Sequence, residues 1–337
     1  MRMSDIRGVN LGGWFVLESW IKPALFENIK SKDETGFSLL NPNAEKDLKE
    51  HWDTFIVKED FIYLKSIGIN SVRLPIPWWL QGESPYFSCL PYLHKAMQWA
   101  TEVGLDVLLD LHTAPGCQNG FDNGGIQDVM TWHLDPKNIQ LTVDKLEYIA
   151  DTFKDYPSFW GLQVLNEPFL TIDMDIIIDF YLRSYRAIRK HTNKTVVFHD
   201  SFRSSHDVWK PFFANPELKN VMFDLHLYHC FDPKLATCTF DVHVDLILNK
   251  RLQIIKDISK FVDVIIGEWS LGIKYDTMKL DPTISHKQYD KMLADLQLYI
   301  YSFAKGYYFW NYKIENDRLG WNFRKLIEAG IMPNYYE

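Results

Sequence analysis

The sequence predicts an α/β fold: a closed (β/α)8 TIM barrel, with residues 1–337 forming a single catalytic domain. Three observations lead to this prediction. Apolar runs of strand character alternate with helical segments about eight times, which is typical of parallel strands joined by crossover helices. The length of 337 residues suits one barrel, and an apolar content of 47% provides a full core. No internal repeat, low-complexity tract or linker divides the chain.

The eight predicted strands are short apolar runs that end in glycine, proline or polar residues. They are predicted at 6–11, 69–74, 105–111, 159–165, 195–198, 221–227, 262–266 and 306–310. Pro75 and Pro77 are expected to stop the second strand, because proline has no backbone N–H to donate.

The predicted helices fill the intervals between these strands. Apolar residues spaced by three and four indicate the first helix, at 55–67, and Gly68 ends it. Others are predicted at 91–103, 141–153, 176–189, 208–213, 244–261, 285–304 and 319–329. Residues 42–51 are expected to be a polar excursion. An open doubly wound sheet is disfavoured, because 8–13 is not a G-x-G-x-x-G phosphate loop.

Composition excludes several classes of partner. The net charge is −8, and no basic stripe is present, so nucleic acid is not expected as a partner. No apolar run approaches 18 residues, so no membrane span is predicted. The first residues lack the apolar core of a signal peptide. A cytoplasmic monomer is therefore expected, or a secreted protein if a leader was removed.

The four cysteines, Cys89, Cys117, Cys230 and Cys238, have no framework spacing. Cys230 and Cys238 could close a small loop, and free thiols are an equal alternative.

Two predicted strands end in a glutamate. The run 161–165 is followed by Asn166, Glu167 and Pro168, and the run 264–267 by Glu268. A lone glutamate in this position is more often a loop charge or a helix-cap neighbour. Two of them at the rim of one barrel provide the acid/base and nucleophile that cleavage of a glycosidic bond requires.

The other predicted strand ends also carry polar or aromatic side chains: Arg73, His112, Asn166, His226, Tyr228 and Trp310. Function in such barrels lies at this rim. Arg73 and Tyr228 are expected to keep Glu268 ionised. Glu167 is then expected to have the raised pKa of a proton donor, because burial and the charge of Glu268 disfavour its ionisation.

The remaining rim side chains are expected to contact sugar. Asn166 is positioned to bind the 2-hydroxyl, His112 and His226 other hydroxyls, and the ring of Trp310 a sugar face. The two histidines could instead be buried core residues, and Arg73 could be a structural residue of the barrel lip.

Two further patterns have structural rather than functional interpretations. Trp14, Trp160 and Trp269 are expected in the core. The spacing of His226 and His229 lacks the carboxylate partner of a metal motif, so no metal is predicted.

The strand-end motifs resemble those of glycoside hydrolase family 5, clan A, and are most similar to its exo-β-1,3-glucanase branch. The similar segments are RGVNLGGW (7–14), HWDTFI (51–56), VRLPIP (72–77), DLHTAPG (110–116), QNGFDN (118–123), LNEP (165–168), HLY (226–228), GEWS (267–270) and FW (309–310). They span nearly the whole chain in the family's order.

This resemblance implies a retaining enzyme without a cofactor, acting on a β-glucan or β-glucoside. Glu167 matches the family's acid/base and Glu268 its nucleophile. The other rim residues match those that line the pocket for the sugar being transferred. Glu18 matches a contact to the terminal sugar. Phe121 and Phe231 match a clamp on the next sugar outward, with a packing role as the equal alternative.

The sequence departs from that branch at Leu227, where a second histidine is usual, and at 311–313, where a second tryptophan is frequent. Three alternatives stay open: a small aryl or disaccharide glucoside as substrate, an endo-β-glucanase or β-mannanase, and a barrel that binds carbohydrate without catalysis. A pocket walled by residues 22–49 would favour exo action. Retention predicts carboxyl groups roughly 5–5.5 Å apart, against about 6.5–9.5 Å for inversion.

Overall fold

Eight parallel strands close into a barrel in chain order, and the eighth pairs with the first. The computed structural model describes residues 5–203, 205–274, 280 and 283–335. The strands are β1 (Ile6–Asn10), β2 (Ser71–Ile76), β3 (Asp106–Leu111), β4 (Phe159–Gln163), β5 (Thr195–His199), β6 (Val221–His226), β7 (Asp263–Trp269) and β8 (Gly306–Phe309). The predicted barrel is confirmed. The expectation of one domain over 1–337 includes residues outside these ranges and stays a prediction.

Helices surround the barrel. They are α1 (Glu34–Leu40), α2 (Ala44–Thr54), α3 (Lys58–Ser66), α4 (Leu90–Val103), α5 (Pro136–Phe153), α6 (Met174–Arg189), α7 (Lys210–Phe213), α8 (Phe240–Asp245), α9 (Leu252–Ile258), α10 (His286–Tyr301) and α11 (Phe323–Glu328). A π-helical segment, Leu246–Arg251, joins α8 to α9.

Several predicted boundaries were wrong. Residues 42–51 are mostly the helix α2, which buries Leu48, His51 and Trp52 on one face. The fifth helix begins at Pro136, five residues before the prediction, because Asp135 caps it and proline suits its first turn. The predicted helix at 319–329 is a 3-10 turn followed by the shorter α11.

Pro75 does not stop β2, which continues to Ile76. The pairing of β1 with β2 ends at Arg73, whereas the pairing of β2 with β3 continues through Pro75. Pro75 therefore lies beyond the last β1 partner, where its missing N–H removes no bond to that strand.

The barrel interior has an apolar layer below and a polar layer above. Leu108, Val197, Ile265 and Tyr308 pack together in the apolar layer. The ring of Tyr308 occupies the space beside Gly8, where a Cβ would come within 2.2 Å of it. The polar layer above consists of Asn10, Arg73, Gln163 and Asp224, all completely buried.

The expectations for tryptophans and cysteines are partly confirmed. Trp14 and Trp269 are buried in the main core, whereas Trp160 is half-buried and donates to Ser71. All four cysteines are free thiols, so the loop-closing alternative for Cys230 and Cys238 was wrong. No helix among the described residues is long and apolar enough to cross a membrane.

Candidate active site

Glu268 lies in β7 and is held from two sides. Nη1 of Arg73 donates to its Oε1 at 2.8 Å, and the Tyr228 hydroxyl donates to its Oε2 at 2.7 Å. The ladder between β7 and β8 shifts register between Ile266 and Trp269. Irregularities of this kind redirect side chains next to active sites. Glu268 is therefore a buried, oriented carboxylate.

Glu167 follows β4 with a φ of 46°, a conformation that a residue other than glycine rarely adopts. Strain of this kind persists where surrounding contacts impose it, commonly at functional sites. Nδ1 of His226 lies 2.7 Å from Oε1 of Glu167, and the amide of Asn123 donates to Oε2 at 3.0 Å. These two contacts fix the carboxyl group in place.

His226 connects the two glutamates. Its Nδ1 is 2.7 Å from Oε1 of Glu167 and 3.5 Å from Oε2 of Glu268. Those two oxygens therefore lie no more than 6.2 Å apart, the sum of the two distances. This limit on one pair of oxygens is compatible with the roughly 5–5.5 Å between carboxyl groups that retention requires. The strands bring together two carboxylates that are 101 positions apart in sequence.

The pKa shifts of His226, Glu167 and Glu268 differ from those expected, because Glu167 has the lowered pKa. Burial opposes the charge of His226, but the carboxylates of Glu268 and Asp224 outweigh it and raise the His226 pKa well above its usual range. Burial would raise the pKa of Glu167, but the hydrogen bond and charge of His226 lower it to about 2. Burial raises the pKa of Glu268, against the charges of His226 and Arg73.

The prediction that Glu167 itself has the raised pKa was therefore wrong for this structure. The two pKa shifts favour a proton on Nδ1 of His226, with Glu167 as the acceptor of the hydrogen bond. The expected contact of His226 with sugar hydroxyls is also replaced, because its Nε2 faces Asp224 at 3.1 Å. Both ring nitrogens are engaged by carboxylates.

Arg73 is completely buried, so it organises the site from below. Its donors reach Gln163 at 2.9 Å, Asn10 at 2.9 Å and Asn166 at 2.8 Å, in addition to Glu268. Its Nη2 is also 3.0 Å from Asp110. The structural alternative considered for this arginine is thus supported together with its role in holding Glu268.

Asn166, His112 and Trp310 form a connected group just after the ends of β4, β3 and β8. The His112 ring stacks on Trp310 at 5.6 Å, and its Nδ1 donates to Asp110 at 2.6 Å. The amide nitrogen of Asn166 lies 3.4 Å from Nε2 of His112, and because an amide N–H only donates, Nε2 accepts there. Gly12 leaves room for the indole, because a Cβ there would lie 2.6 Å from Trp310.

Glu18 lies close enough to both glutamates to feel their charges. Trp20 donates to one of its oxygens at 2.8 Å, and the other oxygen is buried without a hydrogen-bond partner among the described residues. Burial raises its pKa well above the usual range, and the charges of Asp122, Glu268 and Glu167 add to that shift. An unpartnered acceptor next to two catalytic-type carboxylates is suited to a substrate hydroxyl.

Four aromatic side chains, two exposed and two half-buried, lie in the segments that follow β3, β4, β6 and β8. Phe231 is 72% exposed and meets Tyr228 edge-on at 5.2 Å, and Phe121 is 40% exposed and meets Phe169 edge-on at 5.7 Å. Trp321 stacks on Tyr228 at 5.4 Å. We call these rings, without Tyr228, the aromatic rim: Phe121, Phe169, Phe231 and Trp321.

Sequence reasoning missed the residues beneath and beside the rim: Asn10, Asp110, Asn123, Gln163, His199, Asp224 and Trp321. Most lie inside predicted strands, and a polar residue within an apolar run was the available signal. Asp224 needs Gly267 opposite, because a Cβ at 267 would lie 2.2 Å from its carboxylate.

One group among the described residues has donor atoms close enough to bind a metal ion: Glu167, His199 and His226, within 4.8 Å of one another. Two of the three, Glu167 and His226, already use these donor atoms in hydrogen bonds. His226 uses both nitrogens on carboxylates, and both Glu167 oxygens accept hydrogen bonds. His229, considered with His226 as a metal pair, instead contacts His243 and Arg251.

A closed parallel barrel with two glutamates facing each other at its carboxyl end defines the class of retaining glycoside hydrolases. Comparison with known proteins gives the family. Residues 33–315 match the profile described as "Cellulase (glycosyl hydrolase family 5)". The chain belongs to glycoside hydrolase family 5, and it is a β-glycosidase.

Curated relatives align over almost the whole chain. A glucan 1,3-beta-glucosidase of Kluyveromyces lactis is 31% identical, covering 97% of this chain and 88% of the relative. Glucan 1,3-beta-glucosidase 2 of Wickerhamomyces anomalus is 33% identical, covering 98% and 88%. The rutinosidase of Aspergillus niger has a similar fold, with a TM-score of 0.82 at 21% identity over 98% of each chain.

Proposed function

We propose that this protein is an exo-acting, retaining β-glucosidase that hydrolyses β-1,3-glucans or short β-glucosides by double displacement. The observation that carries the proposal is the contact of Nδ1 of His226 with both Glu167 and Glu268. It limits the separation of the two carboxylates to one compatible with a nucleophile and an acid on opposite sides of one glycosidic bond.

In the first step, Oε of Glu268 attacks the anomeric carbon while the bond to the leaving oxygen breaks. Arg73 and Tyr228 orient the carboxylate and favour its ionised form. The product is an ester between the sugar and Glu268.

The leaving oxygen receives its proton from Glu167. In the free enzyme that proton lies on Nδ1 of His226, and transfer over 2.7 Å delivers it to the carboxyl group. In the second step a water attacks the ester while Glu167 accepts its proton and Glu268 leaves as a carboxylate. The proton bound by the Glu167–His226 pair is thereby restored.

Asn166, His112 and Trp310 are the proposed contacts to the sugar in the central pocket. Asn166 is fixed by Arg73, so its amide is held ready for the 2-hydroxyl, a contact that strengthens in the transition state. A second sugar hydroxyl would replace the long 3.4 Å contact of the Asn166 amide with Nε2 of His112, and the indole provides an apolar face.

The early segment supports a closed pocket rather than an open groove. Asp33 accepts from the backbone N–H of Gln127 at 2.9 Å, and Thr35 bonds to Gly125. These contacts attach the segment that follows Glu18 to the loop that follows β3. Glu18 is bridged to Asp33 in the same segment. We infer that this attached segment closes one end of the site, so that a glucan chain end stops there, as exo action requires.

Product analysis on laminarin tests this proposal. Exo action predicts glucose alone from the earliest times. A ladder of oligosaccharides would instead indicate the endo-acting alternative. If neither laminarin nor an aryl β-glucoside gives a product, the protein would be a barrel that binds carbohydrate without catalysis. Comparing laminarin with cellobiose, mannobiose and aryl glucosides identifies the preferred linkage.

We also propose that the protein works in a reducing compartment such as the cytoplasm. The four unpaired thiols support this, since disulfides are the usual state of cysteines in oxidising compartments. Fractionation of cells that produce the protein, with a fungal wall fraction as comparison, would test it.

A further inference from the structure

A buried arginine lies behind Tyr228, outside the network of the two glutamates. Arg251 ends the π-helical segment Leu246–Arg251, and only 6% of it is exposed. Burial lowers its pKa, and no carboxylate forms an ion pair with it in the described part of the chain. Short π-helical segments occur frequently at functional sites. A buried cation without an anion calls for an explanation.

Arg251 uses two donors on the segment that follows β6. Nη2 donates to the backbone carbonyl of Tyr228, and Nη1 lies 2.7 Å from Nε2 of His229. Because the guanidinium can only donate, Nε2 of His229 must accept. The proton of this imidazole is therefore on Nδ1.

The remaining contacts set the direction of a hydrogen-bond chain. Nδ1 of His229 lies 2.9 Å from Nδ1 of His243, so His243 accepts there and carries its proton on Nε2. That Nε2 faces Sγ of Cys238 at 3.4 Å. Burial lowers the pKa of both histidines, and the charge of Arg251 lowers it further. The pair is neutral and supplies Arg251 with a fixed acceptor.

We propose that Arg251 is a positioning residue for the reaction. By fixing the carbonyl of Tyr228, it holds the phenol in place to donate to Glu268, and the neutral His229–His243 pair orients the guanidinium for that task. This inference rests on the proposed function, because its effect is read through the nucleophile. A purely structural arginine would stabilise the fold without affecting Glu268.

The pH dependence of kcat/KM separates these two roles. Glu268 faces several groups, namely Glu18, Arg73, His112, Glu167, His226 and Tyr228. Among these, Arg251 hydrogen-bonds only to Tyr228. Loosening the phenol removes a hydrogen bond to the ionised form of Glu268, so its pKa rises and the acid limb moves to higher pH.

The experiment compares Arg251→Met with Tyr228→Phe and the double variant, using an aryl β-glucoside. Arg251→Met is expected to lower kcat/KM roughly tenfold to hundredfold, the range for a hydrogen bond to a charged group. It should also shift the acid limb of the kcat/KM profile to higher pH. In the Tyr228→Phe background it should cause little further loss and no further shift.

Arg189→Met and His229→Gln provide controls. Arg189→Met removes an arginine that also donates to backbone carbonyls, those of Thr192, Lys194, Lys219 and Asn220, and should lower the unfolding temperature without moving the acid limb. His229→Gln keeps an acceptor for Arg251 and should remain active, whereas His229→Leu should reproduce the shifted limb.

The proposal is overturned if folded Arg251→Met keeps the wild-type acid limb. It is also overturned if the loss of kcat/KM in the double variant equals the product of the losses in Arg251→Met and Tyr228→Phe. If Arg251→Met does not fold, His229→Leu and Arg251→Lys decide by the same readouts. A wild-type protein that hydrolyses no β-glycoside would instead refute the proposed function.

Discussion

Nδ1 of His226 lies 2.7 Å from Oε1 of Glu167, and this contact raises the pKa of His226 while it lowers the pKa of Glu167. Asp224 holds the other ring nitrogen at 3.1 Å, and Glu268 lies on the same side as Glu167 at 3.5 Å. The acid of the proposed reaction is therefore a pair of residues that shares one proton.

The first prediction concerns the pH profile of kcat/KM, which reports the free enzyme. Glu268 must be ionised and its pKa is raised, so activity should fall as the pH drops through a value above the ordinary range of a glutamate. The Glu167–His226 pair must hold a proton, and the pKa of His226 is raised. The basic limb should therefore lie above the usual range of a histidine. Initial rates with an aryl β-glucoside would measure both limbs.

The second prediction is that His226→Asn moves the basic limb to lower pH. Without the imidazolium, Glu167 loses the hydrogen bond and charge that lower its pKa, and it must carry the proton itself. We expect kcat/KM to fall by roughly 10²-fold, the lower range for general acid catalysis. His206→Asn is the control, since His206 contacts Asp200 rather than a glutamate. An unchanged basic limb in His226→Asn would contradict the shared proton.

The third prediction concerns leaving groups. Glu167→Ala should reduce hydrolysis of disaccharides much more than hydrolysis of aryl glucosides with acidic phenols, because a good leaving group departs without protonation. A series of aryl glucosides of increasing phenol pKa would measure this. In Glu167→Ala, kcat/KM should fall more steeply with phenol pKa than it does in the wild type. Equal losses on all substrates would remove the acid role.

The fourth prediction is that Glu268→Ala abolishes turnover, because no ester can form. Azide should restore cleavage of an activated glucoside and give the glycosyl azide of inverted configuration, detectable by proton NMR. Normal activity in this variant would show that another group is the nucleophile.

The fifth prediction tests the aromatic rim. Phe231→Ala should raise KM for laminari-oligosaccharides about two- to tenfold, since an aromatic contact contributes about 0.5–1.5 kcal/mol. Glucosides with a small leaving group should be unaffected. Phe303, also an exposed phenylalanine, lies outside the barrel beside Tyr299 and Lys256, so Phe303→Ala is the control. An equal KM for Phe231→Ala and wild type would exclude the clamp.

The barrel was predictable because each strand has its own apolar run and each crossover its own helical spacing. The positions of Glu167 and Glu268 were predictable for a related reason. Strand ends in a parallel barrel meet at one rim, whatever their distance in sequence. Boundaries were less predictable: Pro75 continues β2 because neighbouring ladders end at different residues, which one strand alone cannot indicate.

The electrostatics of the site could not be predicted from strand ends. Sequence reasoning assigned Glu167 a raised pKa because it considered only burial and Glu268. The deciding contact, from His226, depends on a register shift between Leu225 and His226 and on Asp224 below. Likewise, Arg251 is 23 residues from Tyr228, and only the packing of the helical segment behind the rim brings them together.

In the proposed mechanism, Glu268 forms a covalent bond to the sugar while Glu167 faces it from the other side. Incubation with an activated 2-deoxy-2-fluoro-β-glucoside, followed by proteolysis and mass spectrometry, tests it directly. We predict one fluoroglucosyl group per protein, on the peptide that contains Glu268, and loss of activity in step with labelling. Labelling of Glu167 or of any other residue, or full turnover without a trapped intermediate, would contradict the account.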